Sequence, residues 1–193
     1  MTYLEQEAIE LRTDRLILRT IDSTFAARCL DYFVRNKLFF KQWIPTVDAT
    51  FYTLAFHEEK LQLERELRSQ DRVVRFWLFK KEDRAFQRII GDLAFSNVIR
   101  GAFQSCHLGY KMDGAEINRG MMTEALKRAI RFAFEDMKLH RIEANIMPHN
   151  TRSISVVEKL GFVNEGLSRK YLKIAGKWED HLHYVLLNPN EEQ

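Results

Sequence analysis

Cysteine is scarce in this chain of 193 residues. Cys29 and Cys106 are the only two, and neither stands in a CxxC spacing. That excludes a disulfide scaffold or a zinc ribbon, and the pair reads as buried thiols of a reducing compartment. Proline occurs three times and glycine eight times, too few for a collagen-like or low-complexity chain. No uncharged run is long enough to cross a bilayer. Residues 1–15 are charged and lack the apolar stretch of a secretion signal. The expectation is a cytoplasmic protein with no membrane partner. Neither sign of charge dominates: 30 Lys and Arg face 27 Asp and Glu, for a net +3. Such mild basicity permits weak attraction to RNA or a polyanion but argues against a sequence-specific nucleic-acid reader. Of six histidines, His181 and His183 share one strand face, and no carboxylate or cysteine spacing completes a metal set.

What is present suits one domain over residues 1–193, with 46% hydrophobic residues for a sizeable core. No internal repeat or linker divides it, and the polar tail 188–193 is expected to fray. The chain is organised around Glu116-Ile117-Asn118-Arg119-Gly120-Met121-Met122-Thr123-Glu124-Ala125. A strand-like run, Ser105 to Met112, precedes it. An amphipathic helix follows, with Met122, Ala125, Leu126, Ala129, Ile130 and Ala133 at helical spacing. Helix N-termini expose unpaired N–H groups that suit phosphates. Gly120 lets backbone approach a ligand, and Arg119 adds a cation. The two readings are a pyrophosphate-binding turn and an ordinary strand–helix connection.

Elsewhere, residues 11–21 read as a strand, and Asp22 or Ser23 caps a helix whose face is Phe25, Ala26, Cys29, Leu30 and Phe33. The aromatic run from Asn36 to Pro45 reads as core packing or a cleft wall. A helix over 53–69 carries Glu58, Glu59, Lys60, Glu64, Arg65, Glu66 and Arg68 as a solvated charged face. Strands over 73–80, 89–99 and 103–112 have short links and form an antiparallel meander, with Gly91 a bulge or close-approach point. The helix after Gly120 and a strand over 141–147 complete a strand–helix–strand unit, which requires a parallel pair. Asn150 then caps a helix with inner face Ile154, Val157 and Leu160. Gly161 follows in the left-handed position, with Phe162 packing back. Two last strands turn at Ala175-Gly176-Lys177. The class is therefore α/β: a mostly antiparallel mixed sheet with one parallel pair, flanked by helices.

Several runs within this order carry a resemblance. They are Thr13-Asp14-Arg15-Leu16, Asn97-Val98-Ile99-Arg100-Gly101, Leu108-Gly109-Tyr110, Met147-Pro148-His149-Asn150-Thr151-Arg152-Ser153, and Gly176-Lys177-Trp178-Glu179-Asp180-His181. Together with the glycine-containing turn they resemble the GNAT acyl-CoA-dependent N-acetyltransferases. Within that family they resemble the RimJ/RimL-type enzymes that acetylate ribosomal-protein N-termini, with the RimJ branch the nearer. One departure stands out. The family loop reads Q/R-x-x-G-x-G/A, but aligned on Gly120 its first position is Ile117 and its last is Met122, with Arg119 inside.

The resemblance implies acetyl-CoA as donor and a splayed parallel strand pair. It places pantetheine beside Tyr110, Lys111 and Met112, and the pyrophosphate on Asn118, Arg119, Gly120, Met121, Met122 and Thr123. Asn150 is placed to hold the pantetheine arm, against a plain helix-capping role. A backbone N–H near Tyr110 to Met112 serves the oxyanion. Ser153 stands near the thiol, either bonding or protonating the departing thiolate or merely bonding backbone; Tyr171 is a weaker donor. The base is open among Glu116, His107, Glu165, Asp180 and His181. A free α-amine has a pKa of about 7.7–8 and costs about 1 kcal/mol to neutralise at pH 7, against about 4.5 for lysine. Such a substrate needs only a modest base. The acceptor implied is the N-terminal alanine of a ribosomal protein, the fifth of the small subunit, with ribosome association permitted by the charge. A small-amine acetyltransferase and an acyl-CoA-binding assembly factor are the competing readings.

Overall fold

A computed structural model describes residues 3–189. Its strands are β1 (Glu10–Arg12), β2 (Leu16–Arg19), β3 (Val74–Lys80), β4 (Gly91–Ile99), β5 (Ser105–Met112), β6 (Arg141–Ile146), β7 (Val163–Ile174) and β8 (Lys177–Leu187). Its helices are α1 (Ala26–Arg35), α2 (Lys37–Phe40), α3 (Leu54–Ser69), α4 (Met121–Glu135) and α5 (Thr151–Lys159). One sheet holds all eight strands in the order β1-β2-β3-β4-β5-β6-β8-β7. Every neighbouring pair is antiparallel except β5 and β6. These two stay in register only from Ser105 to His107 against Arg141 to Glu143. From Leu108 onward β5 keeps β4 on one side and has no strand on the other.

Alternation along β3 shows why helices cover both faces. Phe76 and Leu78 pack with Ala125, Leu126, Ala129 and Phe132 of α4, the Phe76 and Phe132 rings meeting edge-on at 5.3 Å. Trp77 and Phe79 point the other way, into Cys29, Tyr32 and Phe33 of α1 and Leu61 of α3. The alanines of α4 let that helix lie close to the strands. The C-terminus of α5 closes as expected: Gly161 adopts φ 85°, and the Phe162 and Gly161 N–H groups donate to Val157 O and Glu158 O at 3.1 Å each, a Schellman pattern.

Three expectations are corrected, and the two-way expectation for Gly91 is decided. Residues 11–21 are not one strand but a hairpin, because Thr13 turns the chain: its N–H donates to Leu16 O at 3.0 Å, and its Oγ1 accepts from the Leu16 N–H at 2.9 Å. The charged face of α3 is only partly wet. Positions 57, 60, 61, 64 and 68 form an inward stripe, with Glu64 bonded to Arg75 at 2.7 Å and buried Arg68 donating to Thr20 Oγ1. Gly91 is a close-approach point, since a Cβ there would lie 2.8 Å from Lys111 O, but the bulge falls between Ser96 and Ile99. The tail does not fray from its first residue: Asn188 is buried and donates to Leu139 O at 3.1 Å. Residues 190–193 lie outside the described residues.

Buried His57 of α3 stacks on Phe33 at 5.4 Å. Burial first, and nearby Lys60 second, hold its pKa down from 6.5 to about 4. Between those values the unfolded chain binds a proton that the folded one refuses, so stability falls as pH drops through that window. Denaturant midpoints from pH 7 to pH 4 should show that loss, and His57→Leu should flatten the part due to this residue.

Candidate active site

The turn that opens α4 is held from outside. Asn118 and Gly120 both take left-handed φ values, 61° and 72°, on either side of Arg119. Left-handed geometry suits Gly and Asn, which avoid the steric cost that other side chains incur there. A turn of this shape directs successive N–H groups into one concavity, the usual backbone form of an anion site. The hairpin between β1 and β2 braces it. Thr13 Oγ1, the Arg15 N–H and Arg15 Nε all donate to the Glu124 carboxylate, at 2.6, 2.9 and 2.6 Å. Arg15 Nη1 donates to Arg119 O at 3.0 Å. Its partners therefore hold the Glu124 carboxyl below its usual pKa despite partial burial. Arg119 lies 3.1 Å from Glu116 Oε2, with its side chain more than half exposed.

This turn, the free edge of β5 and the start of α5 line one cavity of about 490 Å³. It brings together all of the expected positions: Tyr110, Lys111, Met112, the 118–123 turn, Asn150 and Ser153. Phe39, Phe40 and Trp43 form a further wall, with Trp43 stacked on His149 at 5.7 Å. The aromatic run is thus both core, through buried Phe40, and cleft wall. The Lys111 ammonium is committed elsewhere, 3.1 Å from buried Asp92, so Lys111 offers the cavity its backbone. Met121 and Met122 are buried and likewise offer N–H groups. Arg152 and Lys159 add two cations to the lining that the sequence reading passed over.

Across the cavity Tyr110 meets Ser153. Ser153 Oγ donates to Tyr110 Oη at 2.6 Å, and Tyr110 Oη donates to Ser153 O at 3.0 Å. Burial pushes the Tyr110 phenol up to about 12 while the Ser153 bond pulls it back, so it stays protonated at neutral pH. Asn150 caps α5, its Oδ1 accepting the Ser153 N–H at 3.2 Å. That leaves its side-chain NH₂ as the half open to a ligand.

The candidate bases separate on geometry. Glu116 is buried at the cavity wall but tied to Lys80 at 2.8 Å and to Arg119. Arg141 holds Glu165 with two bonds of 3.1 and 2.5 Å and keeps its carboxyl acidic. Asp180 caps the Lys170 N–H at 2.7 Å. His107 lies between Asn97 at 3.1 Å and Glu143 at 3.7 Å. Burial lowers the pKa of His181. Of these five, only Glu116 lines the cavity, and Tyr171 does not. No group of three metal-ligating side chains occurs among the described residues, and no described helix is long and apolar enough to cross a membrane.

Residues 15–163 match the acetyltransferase (GNAT) domain. The chain belongs to the GNAT acetyltransferase family. A [ribosomal protein uS5]-alanine N-acetyltransferase of Escherichia coli is 38% identical over 94% of this chain and 92% of its own. The probable N-acetyltransferase YjcK of Bacillus subtilis is 37% identical over 95% and 99%. The ribosomal-protein-S5-alanine acetyltransferase of Vibrio fischeri superimposes with a TM-score of 0.89 at 31% identity, covering 96% of this chain and all of that one. Mycobacterium smegmatis RimJ, solved with CoA-disulfide, gives 0.87 at 25% identity, covering 100% and 93%.

The brace on Glu124 yields a test. Glu124→Ala strips three donors of a charged acceptor and should cost about 1–3 kcal/mol in urea unfolding. The 118–120 turn should exchange its amide protons faster in the same variant.

Proposed function

We propose that this protein is an acetyl-CoA-dependent N-terminal acetyltransferase. Its acceptor is the α-amine of a ribosomal protein that begins with alanine, the fifth protein of the small subunit. The observation that carries the reading is the single cavity in which the 118–123 turn and the Tyr110–Ser153 pair meet at the free edge of β5. Near-complete coverage of relatives named for that reaction supports it. The mild net charge of +3 is compatible with association with the ribosome, and a cytoplasmic, single-domain enzyme fits the same reading.

The residues present suit the co-substrate. A Cβ built at Gly120 would meet only Arg15 Nη2, at 3.7 Å, so the turn is open to a bulky anion. The N–H groups of residues 118–123 would hold the diphosphate at the positive end of α4, with Arg119, Arg152 and Lys159 as nearby cations. The unpaired edge at Tyr110 to Met112 would satisfy the pantetheine amides, and the Asn150 NH₂ adds a donor. Acetyl-CoA supplies an acetyl group activated as a thioester. The amine nitrogen forms the new C–N bond as the C–S bond breaks, the sulfur leaves as a thiol, and the ammonium form of the acceptor releases one net proton. A β5 backbone N–H stabilises the charge that develops on oxygen. Ser153 Oγ gives the sulfur its proton or hydrogen bond by turning its O–H away from Tyr110 Oη, and the Tyr110 O–H can then turn from Ser153 O to Ser153 Oγ, with any proton it gives up restored from solvent.

Paired turnover assays test this. A peptide with a free N-terminal alanine should be acetylated, and the same peptide blocked at its N-terminus but carrying lysine should not. Turnover on the blocked peptide would point to a lysine or small-amine enzyme; cofactor binding with no turnover on either would favour an assembly factor. Ser153→Ala should lower kcat about 10²- to 10⁴-fold with little change in acetyl-CoA affinity, and full turnover would remove the acid role. Gly120→Glu should weaken acetyl-CoA binding in a protein that still folds.

A further inference from the structure

The gap between β5 and β6 has a second side. Ile142, Ala144 and Ile146 of β6 are buried in the core under α4 and α5, so Asn145 points to the opposite face. His107 against Glu143 is the last registered parallel pair. Two residues on, Gly109 and Asn145 look across the opening, and Asn145 pairs directly with His183 of β8. On this face two polar atoms are buried without a partner: Asn145 Oδ1 and His183 Nε2. Tyr171 fixes both side chains, since its hydroxyl accepts from Asn145 Nδ2 at 3.2 Å and its ring packs edge-on against His183 at 4.9 Å. Gly109 leaves the floor bare; a Cβ there would meet nothing within 4 Å. Buried polar atoms without partners are uncommon, and two on one face beside the opening ask for a functional reason.

We propose that Asn145 Oδ1 and His183 Nε2 receive the acceptor's primary α-amine, with Gly109 as the floor beneath its first residue. The inference rests on the acetyltransferase reading given above. A neutral primary amine carries two N–H donors and one lone pair. Asn145 Oδ1, and His183 Nε2 when the ring proton sits on Nδ1, are two acceptors on directly opposed residues, whose Cβ atoms stand about 4.5–5.5 Å apart in such pairs, and can share the two N–H groups. The lone pair is then left to face the gap, beyond which lies the Tyr110–Ser153 pair. An acetylated nitrogen carries one N–H instead of two and leaves one acceptor unsatisfied, so the site favours a free N-terminus over a blocked one. Bare space over Gly109 favours a first residue with a small side chain.

The test is equilibrium binding, which needs no turnover. A hexapeptide with a free N-terminal alanine, and its N-acetylated form as control, are titrated into protein saturated with coenzyme A. Three variants are compared: Asn145→Leu, His183→Phe and Gly109→Val. Gly109 has no left-handed φ and open space around it, so valine there should not disturb folding. Each variant should weaken free-peptide binding at least tenfold. Coenzyme A affinity should stay within twofold, and the melting temperature should be unchanged or higher, since an apolar group in place of an orphaned polar one removes a desolvation cost. Free-peptide binding within twofold of wild type in all three variants, or equal binding of the two peptides to wild type, would overturn the proposal. So would parallel loss of coenzyme A binding. Normal peptide turnover beside unaffected variants would sink the amine site alone; variant-sensitive binding without any turnover would sink the transferase reading alone.

Discussion

The layout of this protein depends on two neighbouring strands that pair for three residues and then part. Inside a sheet, a strand edge must find partners for its N–H and C=O groups. From Leu108 to Met112, β5 has β4 on one side and nothing on the other. From this edge the Tyr110 side chain reaches Ser153 at the start of α5. That link is also the chemical pair of the cavity. The same contacts place two hydroxyl groups in the cavity beside the unpaired edge.

Each face of the opening is supported separately. On one side Glu124 gathers Thr13 and Arg15 and so fixes the turn at Gly120. On the other, fully buried Asp92 is matched by Arg75, the Lys111 ammonium and the Tyr32 hydroxyl. A buried carboxylate is tolerated only with such pairing, and here its partners keep its pKa low in spite of burial. The network draws the Lys111 side chain away from the cavity, which leaves that stretch of β5 to act through its backbone.

This division suits transfer between two reactants. A cofactor held mainly by main-chain groups and a helix terminus needs few particular side chains. That explains how the loop can carry Ile117 and Met122 at positions where the family pattern has other residues. The proposed acceptor side is built from side chains instead, and there substitutions would change which amine is taken.

The sequence alone determined the order of elements from residue 73 onward and the parallel pair, because strand–helix–strand spacing leaves no shorter connection. It determined the turn at Gly120, the helix start at Asn150 and the stop at Gly161, since each follows from local backbone chemistry. Every expected cofactor position lines one cavity for the same reason: those residues sit at strand edges and helix starts. Tertiary structure decided what depends on partners distant in the chain. Thr13 and Arg15, at the turn of the first hairpin, brace Glu124 from over a hundred residues away. Arg68 and Glu64 looked like wet surface, because a charge that finds a buried partner reads in sequence like any other charge. Asn145 and His183, unremarkable in their own strands, became a pair only through the register of β6 against β8, which no local pattern encodes.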